Sequence, residues 1–307
     1  MTVLLIFLAA LLVLFILLAV ALFLFSMARF VPIPQRIMTP PAHAETLWAA
    51  REALQRMPVG EKTITSRDGL TLKAQYIPAE EPQRLVLLCH GWKSAWNYDF
   101  AATAPWLHET GSSLLLIEQR AHGGSEGRFL TFGIREREDL LDWVSMIGRD
   151  PELSALPLFV WGNSMGAATV LMAADALPAG QVCGIIADSG YTSPWEQLAD
   201  LWKRMTHLPA RPLLDLVELL SRLFAGVSLR GGSTESALSR TVLPVLLFHG
   251  TGDAMVSCEM SRRNRDACAA EVELVETPKA GHCSSYRRNR AVYQQAVLKF
   301  FTMYTNR

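Results

Sequence analysis

The pentapeptide Gly162-Asn163-Ser164-Met165-Gly166 constrains the fold more than any other feature, because it joins an apolar run, Leu156 to Trp161, to a stretch of small residues from Met165 to Ala176. Glycines two positions either side of a serine let a strand turn sharply into a helix without side-chain collision. Such a turn holds the serine in a strained conformation with its hydroxyl lifted above the sheet. A strand that feeds straight into a helix implies neighbouring parallel strands, and the chain supplies them. Apolar runs at Arg84 to Cys89, Ser113 to Ile117, Val182 to Ala187, Leu243 to Phe248 and Val272 to Val275 alternate with helical stretches. Strands buried on both faces have this composition, so the chain reads as α/β, a mostly parallel sheet flanked by helices.

The helices are visible too. Ile134 to Ile147 sets Leu140, Leu141, Trp143, Val144 and Ile147 at helical spacing, and Tyr286 to Tyr304 closes the chain with an amphipathic pattern. Upstream, Lys62 to Ser66 and Leu70 to Ile77 flank Asp68-Gly69, a hairpin signal that predicts an antiparallel edge. Between the strand ending near Ala187 and the one beginning at Leu243, residues 191–241 break the rhythm. Trp195, Leu198, Leu201, Trp202, Met205 and the run Leu213 to Phe224 predict two or three short apolar-faced helices. These would form a cap over the carboxyl edge of the sheet, where ligands of open α/β sheets bind.

Val3 to Phe25 contain no charged or hydroxyl-bearing side chain. As a helix this run spans roughly 34 Å, enough to cross a bilayer core. Nothing basic precedes it and Arg29 and Arg36 follow it, which is the pattern of a retained anchor rather than a cleaved signal. Those arginines, with Arg51 and Arg56, favour a cytoplasmic position for the rest of the chain. The expected organisation is a transmembrane anchor at 1–28, a linker and short helix at 29–59, and a catalytic domain at 60–307 with its cap at about 191–241. Four prolines between Phe30 and Pro41 mark the linker, and Glu45 to Arg56 the short helix.

Composition removes other classes. The 307 residues suit one catalytic domain of roughly 250 residues plus an anchor. Lysine plus arginine equals aspartate plus glutamate at 29 each, with no long basic run, so no nucleic-acid partner is expected. The five cysteines, Cys89, Cys183, Cys258, Cys268 and Cys283, are odd in number and lack CxxC spacing, so neither a disulfide framework nor a zinc site is expected. No cofactor is called for, and no histidine–carboxylate cluster suggests a metal.

A serine hydroxyl is a poor nucleophile until a base takes its proton, and that base needs an orienting carboxylate. His282 in Lys279-Ala280-Gly281-His282-Cys283 follows the last predicted strand, and Asp253 in His249-Gly250-Thr251-Gly252-Asp253 follows the one before it. Ser164, Asp253 and His282 are thus the candidate catalytic residues, with Asp188 the competing carboxylate. A tetrahedral intermediate needs two backbone N–H donors. Met165 supplies one, and Trp92 in His90-Gly91-Trp92 the other, with Gly91 permitting the close approach that Gly162 and Gly166 permit at the turn. His90, His122 and His249 are expected to hold loops.

With these motifs the sequence resembles the α/β-hydrolase superfamily over about residues 60 to 305. Its order Ser, Asp, His is the family's order. His90-Gly91 looks like the family's oxyanion loop, Gln119-Arg120-Ala121-His122-Gly123-Gly124-Ser125 like its Asp-x-Arg-x-His-Gly-x-Ser loop, and His249-Gly250-x-x-Asp253 like its acid-bearing strand end. Glu118 and Asn163 depart from the commoner residues. Phe132-Gly133 with Glu136 and Asp139, and Ser285-Tyr286 with Asn289-Arg290, resemble bacterial hydrolases with one N-terminal membrane helix, which implies the inner membrane. The resemblance implies an α/β-hydrolase fold and serine hydrolase chemistry. The leading expectation is cleavage of a carboxylic ester or thioester, with a small-molecule or lipid-like acyl substrate. A peptidase or amidase would use the same residues, with Glu196, Asp200, Asp215 and Glu218 as candidates for holding an amino terminus. A tethered binding protein on an inactive scaffold is the alternative from another class.

Overall fold

The structure, a computed structural model, describes residues 1–30 and 44–305. The proline-rich linker, including Arg36, lies outside the described residues. Helix α1 (Thr2–Met27) is the apolar run, and α2 (Ala44–Gln55) corresponds to the short helix expected after the linker. Strands β1 (Gly60–Thr65), β2 (Thr71–Ile77) and β3 (Arg84–Cys89) come next, then α3 (Ala104–Glu109), β4 (Ser112–Ile117) and α4 (Glu136–Arg149). After β5 (Leu158–Asn163), α5 (Met165–Met172) and β6 (Val182–Asp188) comes the insertion, with α6 (Pro194–Thr206), α7 (Leu213–Leu220) and α8 (Thr234–Leu238). The chain closes with β7 (Val245–Gly250), α9 (Cys258–Ala267), β8 (Val272–Thr277) and α10 (Arg290–Tyr304).

The eight strands form one sheet in the order β1-β2-β4-β3-β5-β6-β7-β8. The β1–β2 and β2–β4 pairs are antiparallel and all the others parallel, as the hairpin signal and apolar runs predict. Alternate residues of each central strand serve opposite layers. Leu85, Leu87 and Val160 pack with Leu140, Trp143 and Leu171, whereas Val86, Leu88 and Trp161 pack with Leu107, Tyr293 and Phe301. A period of two, apolar on both sides, is what a doubly covered strand requires.

Some boundaries differ from expectation for local reasons. The runs beginning at Leu156 and Leu243 enter the sheet only after Pro157 and Pro244, which have no N–H to give the ladder. Their carbonyls still accept, from Leu85 N–H at 2.9 Å and Ile185 N–H at 3.0 Å. Helix α4 starts at Glu136, whose carboxylate accepts from the Thr131 and Gly133 amides at 2.6 and 2.8 Å and so ties the preceding loop to the first turn. The expected helix from Tyr286 is broken at Asn289, which has φ −145° and ψ 68°.

The apolar run is more than a span, because its last turns belong to the globular body. Ala19, Phe23 and Met27 are buried in one cluster with Leu213, Leu214 and Val217 of α7, Met165 of α5 and Phe132. Arg29 then continues the chain along residues 128–130, with Leu130 N–H donating to Met27 O and Arg29 N–H to Arg128 O, each at 3.0 Å.

Candidate active site

Parallel pairing aligns Cys89 with Gly162 and Asn163 with Asp188, so the loops that follow β3, β5 and β6 leave the same edge of the sheet side by side. The loops after β7 and β8 leave it next to them. Sequence positions separated by more than a hundred residues therefore meet at one place.

Ser164 sits at the β5–α5 turn with φ 55° and ψ −115°, a left-handed conformation that a residue with a Cβ adopts only under constraint. The constraint is visible in the glycines. A Cβ on Gly162 would lie 2.1 Å from Gly166 O, and one on Gly166 would lie 2.0 Å from Cys89 O. The Ser164 amide donates to Asp188 O at 2.8 Å, fixing the turn to the next strand.

His282 Nε2 lies 2.8 Å from Ser164 Oγ, and His282 Nδ1 lies 2.7 Å from Asp253 Oδ2. The carboxylate is fully buried and held by three further groups. Met255 and Val256 amides donate to Oδ1 at 2.8 and 2.9 Å, and His249 Nε2 stands 3.3 Å from Oδ2. Burial alone would raise the Asp253 pKa, but hydrogen bonds from His249 and His282 outweigh it and hold the carboxyl well below the usual range. For His282, burial lowers the pKa while Cys283 and the Asp253 carboxylate raise it, and the net position is well above 6.5. Burial pushes the Cys283 thiol up to about 11, so it is neutral at pH 7 and the carboxylate is the charge that acts there.

The loop after β3 lies directly beside the serine. A Cβ on Gly91 would be 3.2 Å from Ser164 Cβ and 3.0 Å from Asp99 Oδ2. Met165 opens α5, where the first amides have no partner inside the helix. Trp92, Met165, Ser164 and His282 together line a cavity of about 250 Å³ whose other walls are mostly apolar side chains.

One residue that holds this geometry, Asp99, carries no motif in the sequence. Asp99 accepts from Gly91 N–H and from Ser94 Oγ, both at 2.5 Å, and so fixes the loop that carries Trp92. The Trp92 indole donates to Ser26 O of α1 at 2.7 Å. Asp99 carries no sequence signal, because it ends a short helix, Trp96–Asp99, that contains no motif. His90 and His122 are neutral with defined tautomers. His90 Nδ1–H donates to Gly91 O at 2.8 Å and its Nε2 accepts from Gln119 N–H at 3.2 Å. His122 donates likewise to Arg120 O at 2.8 Å and accepts from Lys93 N–H at 3.0 Å. Burial lowers their pKa values to about 4 and about 3. His249 is oriented the other way, with its Nε2 facing the Val256 carbonyl at 3.1 Å and its Nδ1 meeting Ser261 Oγ at 2.6 Å.

The remaining departures are structural. Glu118 accepts from the Gly124 amide and, at 3.3 Å, from Gln75 Nε2, bracing the loop that follows β4. Asn163 accepts from the Trp161 indole at 3.2 Å. Asp188 is buried below the site, accepting from Tyr293 Oη at 3.0 Å and Ser189 Oγ at 2.9 Å, and its hydrogen bonds do not reach His282.

Comparison with known proteins agrees with the fold. A family model described as "Alpha/beta hydrolase family" matches residues 86–295, more than half of the chain. The chain is 25% identical over 252 residues to the uncharacterized protein YqkD of Bacillus subtilis, covering 81% of each. It is 26% identical over 252 residues to the uncharacterized protein Rv2307c of Mycobacterium tuberculosis, covering 80% of each. Among solved structures it is similar to the esterase Pf2001 of Pyrococcus furiosus, with a TM-score of 0.67 and 24% identity, covering 83% of this chain and 94% of that one.

Proposed function

The chain belongs to the alpha/beta hydrolase family, and from that premise we propose that it is a serine hydrolase cleaving a carboxylic ester or thioester through an acyl-enzyme on Ser164. The observation that carries this reading is the continuous hydrogen-bonded line from Ser164 Oγ through His282 to Asp253, 2.8 Å and then 2.7 Å, opening into an apolar cavity. An esterase among the similar structures supports the choice of ester chemistry.

In the proposed reaction Ser164 Oγ bonds to the substrate carbonyl carbon as its proton passes to His282 Nε2. The carbonyl electron pair moves onto oxygen, where the Met165 and Trp92 amides receive the charge. Collapse breaks the bond to the leaving oxygen or sulfur, which takes the proton from His282. Water then enters by the same steps, releases the acid and restores Ser164. Asp253 keeps the His282 proton on Nδ1, leaving Nε2 free to act as the base.

The apolar pocket walls favour an acyl chain over a charged amino terminus, and Asp215 and Glu218 are occupied by Arg230 and Arg222 at 2.6 and 2.7 Å. In this reading residues 1–28 anchor the chain in a membrane, with residues 60–307 as the catalytic body and 191–241 as its cap. A fluorophosphonate probe is expected to label the wild type and not Ser164→Ala, and equal labelling of the two would sink the assignment. A panel of p-nitrophenyl esters run beside aminoacyl amides separates esterase from amidase.

A further inference from the structure

The cavity above Ser164 is not built by the hydrolase body alone. Leu22, Phe25 and Ser26 of α1 line it together with Leu201, Trp202 and Met205 of α6. The anchor helix is fixed there by polar contacts as well as by its apolar packing. Ser26 O accepts the Trp92 indole at 2.7 Å, and Ala28 O accepts Lys93 Nζ at 2.9 Å. The Arg29 guanidinium donates to Ser125 O and Gly123 O at 2.5 and 2.7 Å. Such bonds set the depth and rotation of the helix relative to the serine.

The length of α1 sets where a bilayer must end. The stretch from Thr2 to Leu14 is exposed along its whole length and spans about 20 Å at 1.5 Å per residue, less than a hydrocarbon core of about 30 Å. Immersing the core's full thickness therefore brings its edge to the turn of α1 that carries Leu22. Around that turn the body exposes large apolar side chains. Leu219 of α7 is 49% exposed, and Leu223 and Phe224 just beyond it are 67% and 63% exposed. The Phe224 ring lies 6.1 Å from that of Phe23. Apolar side chains grouped beside a membrane helix are stable where lipid covers them and costly in water.

We propose that the substrate is an ester resident in the membrane, that its acyl chain passes from the bilayer into the space between α1 and α6, and that Leu22 and Phe25 select the chain length. This deepens the serine hydrolase reading and rests on it. The anchor is then part of the substrate site, and the reacting carbonyl reaches Ser164 without its chain crossing water.

The test uses the full chain in lipid nanodiscs and alkyl fluorophosphonates of four to sixteen carbons, reading the ratio of long-chain to short-chain labelling rates. One or two methylenes lost or blocked in an apolar pocket change discrimination by tenfold or more, so Leu22→Trp is expected to lower the ratio at least about tenfold. Leu22→Ala is expected to move the preference toward longer chains, which keeps the test alive if the larger side chain prevents folding. Leu12→Trp, on the lipid-facing part of the same helix, is expected to leave the ratio as in the wild type. Labelling of Ser164 with a ratio unchanged in both Leu22 variants and in Phe25→Trp would overturn the proposal and leave the hydrolase reading standing. Absence of Ser164 labelling in the wild type at every chain length would overturn both.

Discussion

Asp253→Asn isolates the role assigned to the carboxylate, because the change keeps size and shape while altering one hydrogen bond. The new side-chain oxygen can still accept from the Met255 and Val256 amides that now bond Oδ1 at 2.8 and 2.9 Å. That choice points the new amide nitrogen at His282 Nδ1, where the carboxylate oxygen stands at 2.7 Å. A nitrogen donor there forces His282 to accept on Nδ1 and to carry its proton on Nε2. The imidazole then presents N–H rather than a lone pair to Ser164 Oγ, 2.8 Å away, and cannot take the serine proton. The same substitution in a Ser-His-Asp enzyme costs about 10⁴ in kcat, equivalent to roughly 5.4 kcal/mol of barrier at 1.36 kcal/mol per tenfold. KM is expected to change little, while the denaturation midpoint falls, because the ionised carboxylate that His249 and His282 hold below the usual range stabilises the fold at neutral pH. The assay is steady-state hydrolysis of a short p-nitrophenyl ester, with Asp188→Asn as the control. Asp188 receives Tyr293 and Ser189 hydroxyls beneath the site, so its substitution should cost about 1–3 kcal/mol of stability and less than tenfold in kcat. If Asp188→Asn abolishes turnover while Asp253→Asn keeps it within tenfold, the acid assignment is wrong.

Three other perturbations test separate links. His282 must be neutral to accept a proton and its pKa is raised well above 6.5, so kcat/KM is expected to climb through a midpoint above 6.5. Because the folded pKa is the raised one, the stability contributed by protonated His282 is present at acid pH and lost across that same window. Asp253→Asn should pull the midpoint down, and a pH–rate profile with an unmoved midpoint would contradict the assigned cause. Arg120→Ala removes the partner of Asp139, whose side chain is 3% exposed and 2.6 Å from the guanidinium. Leaving that carboxylate buried alone should cost about 3–5 kcal/mol, read as a shift in the chemical denaturation midpoint. Gly166→Ala would set a Cβ 2.0 Å from Cys89 O, and Ser164 labelling is expected to be lost even where some folded protein is recovered.

The sheet was legible because its signal is local. A strand covered on both faces shows as a short apolar run, and β3 to β8 each have one in the sequence, displaced only where Pro157 and Pro244 delay the ladder. Ser164, Asp253 and His282 could be picked out because each follows such a run, so strand ends served as coordinates. What could not be read were contacts made by side chains without a motif. Asp99 looks like any surface carboxylate until the fold brings its oxygen to the Gly91 amide. Glu118 departs from the commoner residue, and only the structure shows it receiving the Gly124 amide.

The docking of α1 was hidden for a different reason. A helix that packs against a globular body normally betrays the contact by an apolar stripe on a polar background. Val3 to Phe25 have no polar background, so the face touching protein and the face turned away from it are written in the same kinds of residue. Only the groups that flank it differ, and Trp92 is the informative one. Its backbone amide is the proposed second donor to the oxyanion, its ring lines the cavity, and its indole N–H is held by Ser26 O at the end of α1. One residue thus joins α1, the cavity and the loop that follows β3. With α1 embedded in a bilayer as proposed, tilting or lifting it would strain the loop beside Ser164. The proposed anchor would then hold the reaction centre at a set distance from the membrane edge.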